Sequence, residues 1–320
     1  MISKEKIYSI AFENKAAILK EKQRQHEILL SAAYSSVPRL KEIDNTLADV
    51  GSQIAITALK GDTEKLKDLQ NQSKALSAEK TLLLQKSEVK DIVYDCDLCC
   101  DTGYISGKIC NCIKQEAAKV TANELSKQMP LNECTFEKFD LKYYSDKPDI
   151  NGNEPKKRMT AILKYCREYV INFSPETSTN LLFTGRAGLG KTHLTLAIVS
   201  GVIEKGYIPV YASAENLFTA IENEKFAHEG KGTYETVLNC DLLVIDDLGT
   251  EMVTSFTKSV LYNLVNTRIL SHKPTIINTN LSMKQIEDIY SERIVSRFIG
   301  NYESKKFLGE DIRQQKALKV

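Results

Sequence analysis

The chain has 320 residues, with 43 Lys+Arg against 42 Asp+Glu and a formal net charge of +1. That length suits two domains, and the charge balance excludes a broadly basic or acidic molecule, so any nucleic-acid contact has to come from a local patch. No run approaches the ~18 apolar residues of a membrane span. The charged opening MISKEKIYSIAFENK has no signal-peptide core, so the chain reads as cytoplasmic without a membrane partner.

Residues 4 to about 34 are rich in Lys, Glu, Gln, Ala and Leu and contain no Gly or Pro, which predicts a helix. Pro38 suits the first turn of a second helix, in which Leu40, Ile43, Leu47, Val50 and Ile54 line one face. Gly61-Asp62 reads as a stop followed by a cap, and Leu66, Leu69, Leu76 and Leu83 mark the apolar side of a third helix. The last two predict an antiparallel pair, each roughly 35–40 Å long. So polar a hairpin has little core of its own. Residues 1–90 therefore read as a partner-binding arm rather than a solvated spacer, because the apolar stripe needs a cover.

Five of the eight cysteines lie between Cys96 and Cys112. Cys96, Cys99, Cys110 and Cys112 form C-x2-C-x10-C-x-C around a Gly-containing hairpin, which suits a closed, tetrahedral, structural Zn²⁺ site within a module at 91–115. An iron–sulfur cluster or free thiols are the competing readings. Cys100 is the spare, able to exchange with Cys99. Cys134, Cys166 and Cys240 read as small buried hydrophobes.

A charged helix over about 113–130 makes 116–135 a linker, and a helix at 156–173 precedes the stretch on which the remainder depends. Leu181, Leu182 and Phe183 predict a strand, then come Gly185, Arg186, Ala187, Gly188, Leu189, Gly190, Lys191 and Thr192, then an apolar helix beginning near His193. This is G-x-x-x-x-G-K-[ST] in strand–loop–helix context, a phosphate loop for a nucleoside triphosphate. Lys191 would reach the β- and γ-phosphates and Thr192 would ligate Mg²⁺. Further on come a strand at Ile208–Ala212, a helix at Glu215–Glu224 and a polar stretch at His228–Gly232. Asp241-Leu-Leu-Val-Ile-Asp246-Asp247 then reads as a buried parallel strand ending in two carboxylates. Asp246 would hold Mg²⁺ and Asp247 would orient or deprotonate the attacking water. Lys273-Pro-Thr-Ile-Ile-Asn278-Thr279-Asn280 reads as another buried strand ending in polar residues, and Asn280 could sense the γ-phosphate or simply form a turn. Arg293 and Arg297 lie on successive helical turns, either as an arginine finger or as a solvated face.

These motifs resemble the AAA+ ATPases, and among them the bacterial replicative-helicase loaders of the DnaC/DnaI type, with transposition ATPases of the IstB type similar over the same core. The marks are GRAGLGKTHL, DLLVIDDLGTE, TIINTNLS, ERIVSRF and Gly309-Glu-Asp311-Ile-Arg313, within 136–320, and the cysteine segment looks like the zinc-binding part of some loaders. The resemblance implies an α/β fold with a parallel sheet flanked by helices and no full helical lid, since seven residues follow Arg313. It makes Asn280 sensor 1, Arg297 the arginine finger and Arg313 a sensor 2 arginine, and adds His193 to the nucleotide-binding set. Asp247 stands where most AAA+ proteins carry Glu, which implies slow hydrolysis. ATP, Mg²⁺ and Zn²⁺ are the implied cofactors. The implied partners are a hexameric replicative helicase, single-stranded DNA and further copies of the chain. Alternatives are a transposition accessory ATPase and a zinc-held adaptor that binds ATP without turnover.

Overall fold

The computed structural model describes residues 2–226 and 232–318, so 228–231 of the expected polar stretch lie outside the described residues. The chain divides into two units, one formed by 13–110 and the other by 1–12 together with 111–320. None of the described helices is long and apolar enough to cross a membrane.

Helix α1 (Lys4–Ser36) begins the chain, followed by α2 (Pro38–Lys60) and α3 (Thr63–Lys86). Gly61 takes φ 74° and ends α2, and the Asp62 carboxylate caps α3 by accepting the Lys65 N–H at 3.1 Å, so the predicted stop and cap form. Ion pairs join Arg39 to Glu79 and Asp44 to Lys80, which sets the start of α2 beside the end of α3. The two are therefore antiparallel, at about 35 Å each for ~1.5 Å per residue. Strands β1 (Tyr104–Ile105) and β2 (Lys108–Ile109) close a hairpin through Ser106 and Gly107, both with positive φ.

The second unit starts at both ends of this insert. Ile7 and Ala11, in the first turns of α1, pack on Ile113, Ala117 and Val120 of α4 (Asn111–Ser126) and on Ile208. The expected arm at 1–90 and linker at 116–135 thus differ from the division seen. The apolar positions of residues 1–12 and 111–126 cover one another, together with Ile208.

After a 3-10 turn at Leu141–Tyr143 come α5 (Pro155–Ile171), β3 (Asn180–Thr184), α6 (Lys191–Glu204), β4 (Pro209–Ser213) and α7 (Ala214–Phe226). They are followed by α8 (Thr233–Asn239), β5 (Leu242–Leu248), α9 (Ser255–Leu270), β6 (Thr275–Thr279), α10 (Met283–Ile289), α11 (Glu292–Asn301), β7 (Tyr302–Lys306) and α12 (Ile312–Ala317). The five strands run parallel in the order β4-β5-β6-β3-β7. Side chains alternate between the faces: Leu181, Phe183, Leu242, Val244 and Ile276 pack toward α5 and α6, whereas Leu182, Leu243, Ile245 and Ile277 pack toward α7, α9 and α11. Both faces are covered, which is why the central strands are continuous apolar runs.

Arg268 of α9 is 1% exposed and has no carboxylate partner among the described residues. Its guanidinium donates instead to the carbonyls of Val237 at 2.7 Å, Leu238 at 3.1 Å and Cys240 at 3.3 Å around the end of α8. It also donates to the Pro274 carbonyl at 2.7 Å and the Thr275 hydroxyl at 2.9 Å. The cation sits at a helix C-terminus, where free carbonyls favour it. Replacing Arg268 with Met would orphan these acceptors and should destabilise the unit by about 3 kcal/mol, with Lys restoring less than half. Urea unfolding followed by circular dichroism measures this, and an unchanged midpoint for Arg268→Met would contradict the assignment.

Candidate functional site

The loop between β3 and α6 is gripped from two sides. Gly190 (φ 84°) has no room for a side chain, since a Cβ there would lie 2.8 Å from Phe139 Cε2. At Gly188 (φ 76°) a Cβ would lie 2.0 Å from Asp311 Oδ1. The Tyr144 hydroxyl donates to the Leu189 carbonyl at 2.9 Å, and the Ile312 N–H donates to the Gly188 carbonyl at 3.0 Å. The segment before α5 and the one after β7 therefore hold the loop open at the N-terminus of α6, where backbone N–H groups are free to receive an anion. Lys191 is 6% exposed and its ammonium donates to the carbonyls of Gly185 at 2.7 Å and Arg186 at 3.0 Å. Burial lowers its pKa, opposed by Asp247 and Asp246.

A cavity of about 930 Å³ opens over the loop, lined by residues 187–193 together with Tyr211, Asp247, Asn280 and Arg313, with Met129, Phe139 and Tyr143 on the opposite wall. Such a volume is in the range that takes a nucleotide-sized ligand. Of the expected residues, Gly185, Arg186, Asp246 and Arg297 do not line it. Arg186 is exposed and faces a smaller neighbouring cavity with Glu310 and Asp311. His193 lines the large cavity, yet its Nε2 donates to the Thr135 carbonyl at 2.7 Å and its ring meets Phe139 edge-on, while burial pushes its pKa down. Arg297, half-buried on α11, lies outside the cavity, and Arg293 beside it is exposed.

The two acids stand at the end of β5. The β5–β6 register shifts between Ile245 and Leu248, and Asp247 takes φ 53°, a left-handed conformation that costs a non-glycine residue energy. This bulge turns Asp247 out into the cavity while Asp246 stays 3% exposed. Burial raises the Asp247 pKa first and neighbouring Asp246 raises it further, with Lys191 and Arg313 opposing. Asp246 accepts from Asn278 Nδ2 at 2.7 Å, from the Asp247 N–H at 3.0 Å and from the Tyr211 hydroxyl. Thr192 and Asp246 are oxygen donors of the kind that hold Mg²⁺ beside phosphates, so the residues present fit that ion. The sequence assigns neither Asn278 nor Tyr211 a role. Their only signal is a polar residue inside each apolar strand.

The cysteines converge as the spacing predicts. The sulfurs of Cys96, Cys99, Cys110 and Cys112 all lie within 4.8 Å of one another, and those of Cys96 and Cys110 are 3.7 Å apart. A tetrahedron with Zn–S bonds of ~2.3 Å has edges of ~3.8 Å, so the set fits zinc. Cys100 (φ 48°) is exposed and outside the group. The loop is braced by Asp101, whose buried carboxylate accepts the N–H groups of Asp95 at 2.8 Å and Cys96 at 3.0 Å and pairs with Lys22. Hydrogen bonding, led by the Cys99 backbone, pulls the Cys96 thiol down to about 7. Of the remaining cysteines, Cys166 and Cys240 are buried, as expected, and Cys134 is half-buried at the cavity wall.

Part of the chain is similar to known proteins. Residues 156–304 match the family model described as IstB-like ATP binding protein. The replicative helicase loader DnaC of Escherichia coli K12 is 28% identical over 179 residues, which cover 54% of this chain and 66% of that protein. The loader DnaC of Buchnera aphidicola subsp. Baizongia pistaciae is 25% identical over 173 residues, covering 52% and 64%. The chain thus spans just under two thirds of these relatives' own length. A crystal structure described as the DnaC helicase loader is 27% identical, covering 54% of this chain and 98% of that one, with a TM-score of 0.43. Residues 156–304 are thus similar to an IstB-like ATP-binding domain, in a chain similar to the DnaC-type helicase loaders.

Proposed function

We propose that the protein is an ATP-dependent loader that binds a hexameric replicative helicase and places it on single-stranded DNA at the start of replication, in the cytoplasm. The observation that carries this is the meeting of the phosphate loop, Lys191, Asp247, Asn280 and Arg313 in one cavity, in a chain whose curated relatives are named as helicase loaders. Bound ATP would lie along residues 185–193 with Mg²⁺ on Thr192 and Asp246. Asp247, with its pKa raised, would orient and deprotonate the attacking water, and Asn280 would bond the γ-phosphate. Arg313 would reach the phosphates of its own chain. Arg297, which does not line that cavity, would reach those of a neighbouring copy, so that ATP favours self-association. The helical region up to residue 90 would grip the helicase, and zinc on the four cysteines would hold that region's end folded. The match to an IstB-like model keeps a transposition accessory role as the second reading, in which the partner is a transposase.

Mixing the protein with the hexameric replicative helicase, with and without ATP, and measuring complex mass by light scattering should give a stable complex. No complex under either condition would remove the loader reading. Replacing Lys191 with Ala should weaken ATP binding by about 10- to 100-fold, the worth of a charge-assisted hydrogen bond to phosphate. Unchanged binding would contradict the phosphate-loop assignment. Purified protein should carry a single zinc per chain by atomic emission, and Cys110→Ser should lose it. Iron, or no metal at all, would reject zinc.

A further inference from the structure

Asp246 is held by an arrangement that the ATPase motifs do not contain. Strand parity sets it up. Tyr211 of β4, Asp246 of β5 and Asn278 of β6 all fall on the sheet face that packs against α6, with Tyr211 paired to Val244, two residues before Asp246, and Asn278 paired to Phe183. Asn278 is fully buried, and so is Thr195 of α6, three residues beyond Thr192. The Thr195 hydroxyl donates to Asn278 Oδ1 at 3.0 Å, and Asn278 Nδ2 donates to Asp246 Oδ1 at 2.7 Å. This is the one amide orientation that works, because the carboxylate offers only acceptors and the hydroxyl supplies the donor.

The two oxygens of Asp246 are consequently unlike. Oδ1 takes two donors from stiff groups, the Asn278 amide and the Asp247 backbone N–H at 3.0 Å. Oδ2 takes the Tyr211 hydroxyl, whose proton can rotate away. Tyr211 lines the cavity, so Oδ2 is the oxygen it can release to a cation, with the carboxylate plane already fixed through Oδ1.

We propose that Thr195 and Asn278 are positioning residues that orient Asp246 for Mg²⁺, linking the phosphate-loop helix to the acidic strand. The inference rests on the nucleotide reading above and assigns two further residues to it. Because α6 begins at the phosphate-binding Lys191, a shift of that helix on nucleotide binding passes to the metal-binding carboxylate through two hydrogen bonds.

The test is binding rather than turnover. A fluorescent ATP analogue is titrated at increasing Mg²⁺, reading the Mg²⁺ concentration that gives half the gain in affinity. Asn278→Leu, close in volume and unable to bond, should raise that concentration by about 10-fold or more, as loss of an outer partner does to metal affinity, while affinity without Mg²⁺ stays within about twofold. Thr195→Val should move it the same way, and Thr195→Ser, which keeps the hydroxyl, should restore the wild-type value. A merely structural pair would lower the melting temperature and leave the Mg²⁺ dependence alone. Where circular dichroism shows Asn278→Leu unfolded, the Val and Ser variants at 195 decide. Folded variants with wild-type Mg²⁺ dependence, or Ser behaving like Val, would overturn the proposal. A wild-type protein that binds no nucleotide would instead overturn the nucleotide reading beneath it.

Discussion

The constraint behind the site is the burial of a carboxylate at the end of an apolar strand. Leu242, Leu243, Val244 and Ile245 are each fully buried, and Asp246 follows them at 3% exposure. An isolated carboxylate in such a place would protonate or unfold its surroundings. Here three donors take up its lone pairs, one from each flanking strand and one from the next backbone N–H. The next residue escapes that environment by bulging, at the cost of a left-handed backbone at Asp247. Strain and buried charge thus sit on adjacent residues, as is common where a structure is shaped for chemistry rather than for stability.

The phosphate loop is shaped by parts of the chain remote from it in sequence. Phe139 and Tyr144 stack at 5.7 Å between centroids and close on Leu189 and Gly190 from one side. From the other, the Phe307 N–H donates to the Thr184 carbonyl at 2.7 Å, continuing the β3–β7 ladder to the point where α12 meets Gly188. The loop is therefore pre-formed by rigid neighbours. A ligand there need not spend binding energy on ordering backbone, which favours affinity.

What the sequence makes readable follows from how buried each element is. The strand ending in Asp246 and the loop at 185–192 stand out because both faces of the sheet are covered, leaving unbroken apolar runs beside glycine and acid. Strand β7, Tyr-Glu-Ser-Lys-Lys, has no such signal. It is an edge strand with a single neighbour, and its polar side chains face water. Asn278 and Tyr211 escape notice for the opposite reason, since one polar residue inside an apolar strand looks like noise until a partner faces it. The division of the chain at residue 12 is equally silent, because α1 is one continuous helix and only packing tells its first turns from the remainder.

Arg297 and Arg313 differ in a way that motif reading cannot supply. Both are arginines near the end of the core, yet Arg313 lines the cavity of its own chain and Arg297 does not. Arg297 sits on α11, a short helix whose buried residues Ile294, Val295 and Phe298 press on the sheet face opposite α6. That packing anchors α11 by its apolar side and leaves Arg297 half-buried outside the cavity that Arg313 lines. Two arginines that look alike in sequence are therefore set apart by packing: one stands on the helix that follows β7 and meets the phosphate loop, the other on a helix anchored to the far face of the sheet.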